Sequence, residues 1–153
     1  MWTNSQTAVY NYGFTVGLTF NFSKGYTANG NASFAKLQKS ANEDGLEDGF
    51  NTPQWITNFS ISNANIYKKV GAGITFRWQS SFYWQSFLVT GTTPAYFTVD
   101  AQVTYLVEPA KLQIKIGATN LLNHYYRSFL GGPEIGGMYY TTLTYGINKM
   151  VIK

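Results

Sequence analysis

The sequence predicts an all-β chain of antiparallel, membrane-crossing β-barrel strands, about seven in number, on three observations. Apolar residues recur every second position, the connections alternate between short and long, and charge is scarce. Charged residues make up 12% of the 153, whereas aromatics reach 18%, so the polar surface must come from Ser, Thr, Asn, Gln and Gly. No run approaches the roughly 18 consecutive apolar residues of a transmembrane helix. A membrane, if crossed, must be crossed by strands.

Each strand is read from its period of two. Phe14, Val16, Leu18, Phe20 and Phe22 share one face, with Gly13, Thr15, Gly17, Thr19 and Asn21 on the other. Val70, Ala72, Ile74, Phe76 and Trp78 oppose Gly71, Gly73, Thr75, Arg77 and Gln79. The alternation is equally clear where Phe97, Val99, Ala101, Val103 and Tyr105 oppose Thr98, Asp100, Gln102 and Thr104. Two later strands place Leu112, Ile114, Ile116 and Ala118, then Tyr139, Thr141, Leu143 and Tyr145, on their apolar faces. Weaker patterns cover 26 to 38 and 54 to 63. Each is close to the 9 to 11 residues, roughly, of a tilted membrane strand.

Short turns fall at Ser23-Lys24-Gly25, Asn63 to Lys69 and Glu108-Pro109-Ala110, and long loops at 39 to 53, 83 to 95 and 121 to 137. One rim of short turns and one of long loops is the outer-membrane pattern, the short side being periplasmic. Aromatics gather at the strand ends as two girdles: Phe22, Tyr67, Tyr105 and Tyr145 on the short side, Tyr12, Trp55, Trp78 and Tyr139 on the other. A soluble β-sandwich would show the same alternation, but its water-facing surface would hold more charge.

An odd strand count leaves the two ends on opposite rims, and an open sheet would expose unpaired edges in lipid. Further strands are therefore expected before Met1, and Trp2 to Val9 supplies none, lacking apolar alternation. The opening residues also lack a charged and apolar export signal, as expected of a segment of a larger protein.

Candidate chemistry is sparse. His124 is the single histidine and there is no cysteine, so a catalytic triad has little to be built from. The acidic stretch Glu43-Asp44-Gly45-Leu46-Glu47-Asp48-Gly49 offers four carboxylates without the spacing of a calcium loop, and reads as a solvated loop with no metal or other cofactor. Arg77, Asp100 and Lys115 occupy the polar face of three consecutive strands, where they can line a lumen and pair with one another or contact a substrate. The long loops carry Trp84, Phe87, Tyr125, Tyr126 and Phe129, flat faces suited to ligand stacking, to loop packing or to anchoring at the lipid interface. Gly131-Gly132 and Gly136-Gly137 around Pro133 are turn chemistry, since no helix follows to bind phosphate. The net charge of +4 is scattered, with no basic run to suggest nucleic acid.

From Asn11 to Ile147 the chain resembles the last strands of TonB-dependent receptor barrels. The segment Gly117-Ala118-Thr119-Asn120-Leu121-Leu122-Asn123-His124-Tyr125-Tyr126 is similar to the motif that closes the penultimate strand there. Leu130-Gly131-Gly132-Pro133 and the strand Tyr139 to Tyr145 follow in the expected order, and Asp44 to Trp55 adds a loop leading through Pro53 into a strand. The resemblance implies that residues 1–153 are the C-terminal segment of a 22-stranded barrel with a plugged lumen. It also implies a plug domain, preceding barrel strands and a TonB box outside this sequence, contact with the TonB complex and with outer-membrane lipid, and uptake of a nutrient ligand without catalysis. Tyr145 is the counterpart of the aromatic that ends the last strand in that family, with Gly146 to Lys153 continuing beyond it. The rival readings are an outer-membrane enzyme on a small barrel and a soluble ligand-binding β-protein.

Overall fold

A computed structural model describes residues 8–39 and 49–147. Trp2 to Thr7, the carboxylates Glu43 to Asp48 and the tail after Ile147 lie outside the described residues. The strands are β1 (Tyr10–Asn21), β2 (Tyr26–Lys39), β3 (Trp55–Tyr67), β4 (Val70–Gln79), β5 (Phe82–Gln85), β6 (Thr90–Thr93), β7 (Tyr96–Val107), β8 (Leu112–Thr119) and β9 (Met138–Tyr145). Seven of them form one antiparallel sheet in the order β1-β2-β3-β4-β7-β8-β9, and β5 pairs only with β6.

Register explains why the two faces are so distinct. Phe14 pairs with Phe34, which pairs with Trp55, while Phe59 faces Phe76 and Phe76 faces Val99. The rings meet: Phe14 and Phe34 stack at 5.5 Å, Phe34 lies 4.8 Å from Trp55, and Phe76 stacks on Phe97 at 5.9 Å. The other face is a ladder of small polar residues. Thr15 bonds Ser33 at 3.0 Å, Thr19 donates to Asn29 at 2.9 Å, and Asn58 donates to Asn31 at 2.9 Å. Cross-strand partners of one character on each face pin the register, because a slip of one residue would exchange the faces.

No second layer of described residues covers the apolar face. Leu18 is 75% exposed, Ile116 61% and Leu143 65%, whereas the buried apolar residues are few, namely Phe82, Leu106 and Ala118. A water-soluble sandwich buries this face against a partner sheet. The described residues contain no helix long and apolar enough to cross a membrane.

Short turns and long loops segregate to opposite rims as the sequence suggested, with two refinements. The turn expected from Asn63 to Lys69 is shorter, because β3 continues to Tyr67 through a bulge between Asn63 and Tyr67. Asn side chains substitute for the missing ladder bonds there: Asn63 Oδ1 accepts from the N–H of Asn65 at 2.7 Å, and Asn65 Oδ1 from the N–H of Lys69 at 3.0 Å. The loop expected over 83 to 95 holds the β5–β6 hairpin, with Phe82 opposite Thr93 and Trp84 opposite Gly91. Its strands are four residues each, too short for a period to show in the sequence. Gly25, at φ 78°, ends the first short turn, where a side chain would strain the backbone.

Candidate functional site: the polar wall and the aromatic mouth

On the polar face, β4 and β7 set Asp100 opposite Thr75 and diagonal to Arg77. The guanidinium reaches along that diagonal and Nη2 donates to Asp100 Oδ2. Asp100 Oδ1 accepts the backbone N–H of Asn120 at 2.9 Å, so one carboxylate joins the wall to the loop after β8. Lys115 shares the face but is not joined to this pair. It faces Thr104 and Thr142, while Asp100 lies beside Thr119, four residues along β8 or roughly 13 Å away at the usual strand rise. Tyr140 leans over Gly117, where an added Cβ would lie 2.5 Å from the ring, and its hydroxyl approaches Gln102 at 3.4 Å. Arg77, Asp100, Gln102, Thr119 and Tyr140 line a cleft of about 310 Å³.

The segment after β8 owes its form to two asparagines in left-handed backbone, Asn120 at φ 48° and Asn123 at φ 49°. Asparagine tolerates this region because its short amide bonds locally. Asn120 Nδ2 donates to the carbonyl of His124 at 2.8 Å, and its Oδ1 accepts the His124 N–H at 3.1 Å. Asn123 Oδ1 accepts from Gly137 at 2.7 Å, tying the two ends of the loop together. Between them Leu121 donates its N–H to Val99 at 2.7 Å, back onto the wall. The His124 ring stacks on Phe97 at 5.6 Å and 14°. No group of three His, Cys, Asp or Glu among the described residues is arranged to hold a metal ion.

Above the wall, the β5–β6 hairpin and the loop after β8 meet in a mouth. Trp84 packs against Phe129 at 5.3 Å, and Tyr126 stacks on Tyr96 at 4.0 Å and 23°. Together with Thr93, His124, Tyr125 and Arg127, Tyr96, Tyr126 and Phe129 enclose a pocket of about 300 Å³. Arg127 and Glu134 pair at 3.1 Å on its border. Thr93 is fully buried, and neither its hydroxyl nor the buried Trp84 indole N–H finds a partner among the described residues. Phe87 takes no part in the pocket: it is fully exposed beyond the end of β5.

The sequence reading missed two residues of this assembly. Tyr96 stands just before the alternation that begins at Phe97, and its stacking partner is 30 residues away. Asn51 clasps the hairpin, donating to the Gln85 carbonyl and accepting the Gln85 N–H, both at 2.7 Å. The cue in the sequence was an asparagine two residues before Pro53, and its φ of 39° is the left-handed backbone that asparagine tolerates.

No protein-family model matches the chain, and no curated protein matches it in sequence. Solved structures do match its fold. The P. aeruginosa receptor FpvA bound to heterologous pyoverdines superposes with a TM-score of 0.63 at 15% identity, over 86% of this chain and 19% of its own. The E. coli K12 ferric-catecholate import receptor Fiu gives 0.62 at 16% identity over 88% and 21%. The iron transporter FrpB from Neisseria meningitidis gives 0.63 at 16% over 88% and 23%. The chain thus spans about a fifth of the length of the proteins it matches. It shares its fold with one stretch of these outer-membrane receptor structures.

Proposed function

We propose that the chain is the C-terminal wall of a TonB-dependent receptor in the outer membrane of a Gram-negative bacterium, taking part in the uptake of a nutrient ligand through a plugged barrel. The observation that carries this reading is the uncovered apolar face backed by a hydrogen-bonded polar face in a single sheet. A membrane satisfies the first and a lumen the second. Among the described residues no strand pairs with the outer edge of β1 or of β9, so the proposed barrel needs its preceding strands to close. The short-turn rim, with the end of β9, then faces the periplasm, and the aromatic mouth faces outward.

The polar wall meets the plug, with Arg77 and Asp100 held as a structural pair and Lys115 free of that pair to contact the plug or a passing ligand. Trp84, Tyr125, Tyr126 and Phe129 form the outer ligand contact, and the fully exposed Phe87 is a further contact for a ligand. The chain performs no covalent chemistry in this reading; the TonB complex supplies energy through parts of the receptor outside this sequence. Because the matched receptors are named for pyoverdine, ferric catecholates and iron, iron chelates are the first ligands to test.

Ligand-dependent uptake by the intact receptor, abolished when the inner-membrane proton gradient is collapsed, is the expected result. A sharp cooperative unfolding transition from a monodisperse, detergent-free 17.1 kDa monomer of this chain would instead establish a soluble binding protein. Turnover of ester or glycoside substrates by the purified receptor would establish an enzyme.

A further inference from the structure

The short-turn rim carries lysine at every turn. Lys24 lies between β1 and β2, Lys68 and Lys69 between β3 and β4, and Lys111 between β7 and β8. All four are exposed and hold left-handed backbone, with φ of 62°, 37°, 76° and 50° in that order. Glycine or asparagine fits that conformation at less cost, so lysine at each turn is not explained by turn geometry. Lys69 Nζ pairs with Glu108 at 2.8 Å. Among the described residues no carboxylate pairs with Lys24, Lys68 or Lys111.

A second observation fixes the level of these charges. Phe22, Tyr67, Tyr105 and Tyr145 form an exposed aromatic row at the same rim. Lys68 Nζ lies 5.3 Å from the centre of the Tyr67 ring, which puts that ammonium against the aromatic row. In a bilayer such aromatics sit at the headgroup boundary, and lipid phosphates lie immediately beyond. By sequence, four of the chain's seven carboxylates, Glu43, Asp44, Glu47 and Asp48, fall between β2 and β3 and not in these three turns.

Resting on the membrane-barrel reading, we propose that this rim is a binding surface for anionic phospholipid headgroups of the leaflet it faces, with Lys24, Lys68 and Lys111 each meeting phosphate oxygens. Zwitterionic lipids carry a competing ammonium of their own, so net negative headgroups are favoured. Adjacent lysine-bearing turns are two strands apart, roughly 10 Å at the usual strand spacing, so neighbouring lysines can engage separate lipids.

The test is lipid retention by the intact receptor in nanodiscs of phosphatidylcholine with a minority of phosphatidylglycerol, measured by mass spectrometry of the lipids that remain after partial delipidation. Enrichment of phosphatidylglycerol is expected, falling about fivefold for each of Lys24→Gln, Lys68→Gln and Lys111→Gln at low salt and weakening as salt is raised. Lys36→Gln, on β2 away from these turns, should leave enrichment unchanged. Equal retention of both lipids by the wild type, or full enrichment in the triple variant, overturns the proposal. Displacement of the bound lipid by an equal concentration of inorganic phosphate overturns it in favour of a free-phosphate site. A receptor that inserts without lipid preference defeats this inference alone, whereas one that enters neither bilayer defeats the membrane reading as well.

Discussion

Asp100 and Asn120 are joined by a 2.9 Å hydrogen bond from the backbone N–H of Asn120 to Asp100 Oδ1, while the other oxygen of the same carboxylate holds Arg77. A residue read from the sequence as a lumen charge is therefore also the anchor of the loop after β8. Arg77 is half exposed, and the ion pair is correspondingly discounted, but the carboxylate itself is 15% exposed and its acceptor role is not easily replaced by water.

Asp100→Asn keeps an acceptor for the Asn120 N–H and should cost no more than about 1 kcal/mol, leaving assembly largely intact. Asp100→Ala removes both contacts and should cost about 2 kcal/mol. Urea midpoints of the detergent-folded receptor decide between them. Equal losses would mean that the ion pair, not the loop anchor, dominates.

Val99 and Gln102 test the two faces of β7. Val99 stands opposite Phe76 on the apolar face, so Val99→Arg near the middle of the bilayer should cost about 2 to 4 kcal/mol and reduce the folded receptor recovered in outer-membrane fractions. Gln102→Arg, on the polar face, should be tolerated. Equal damage from the two arginines would contradict the assignment of faces.

Gly117 and Tyr140 should behave as a coupled pair. A methyl group at 117 collides with the Tyr140 ring, so Gly117→Ala should destabilise by about 1 to 3 kcal/mol. In the Tyr140→Ala background most of that loss should disappear, and a double-mutant cycle of unfolding midpoints reads the coupling directly. Additive effects would show that the ring moves aside freely.

Accessibility gives the orientation. Gly91→Cys and Gly132→Cys in the intact receptor should react with a cell-impermeant thiol reagent on whole cells, while Lys24→Cys and Pro109→Cys should react only after the outer membrane is opened. Labelling at position 24 from outside would reverse the topology.

The wall was legible because each strand alternates between lipid-type and lumen-type side chains, which writes a period of two directly into the sequence, as in Val70 to Gln79. Alternation assigns a face without assigning a neighbour. It groups Arg77, Asp100 and Lys115 on one face, yet only the register shows that Arg77 reaches Asp100 while Lys115 faces Thr104. The mouth was harder still. Trp84 with Phe129, Tyr96 with Tyr126 and Asn51 with Gln85 are contacts between segments far apart in sequence, held by side-chain hydrogen bonds and ring packing that leave no periodic trace.

The hairpin between β4 and β7 has a further consequence. Gln79 and Tyr96, the residues that bracket it, are direct ladder partners, so the chain leaves the sheet and returns at the same rung. Ser80 still bonds Trp55 of β3 through its N–H and its hydroxyl, so the stretch from Ser81 to Ala95 is the cassette, replaceable by a tight turn or by a different loop without shifting any rung of the wall. Divergence confined to that cassette would alter what the mouth grips while the barrel beneath continued to assemble by the same ladder. On the proposed function, ligand preference is thereby separable from the ladder that builds the wall.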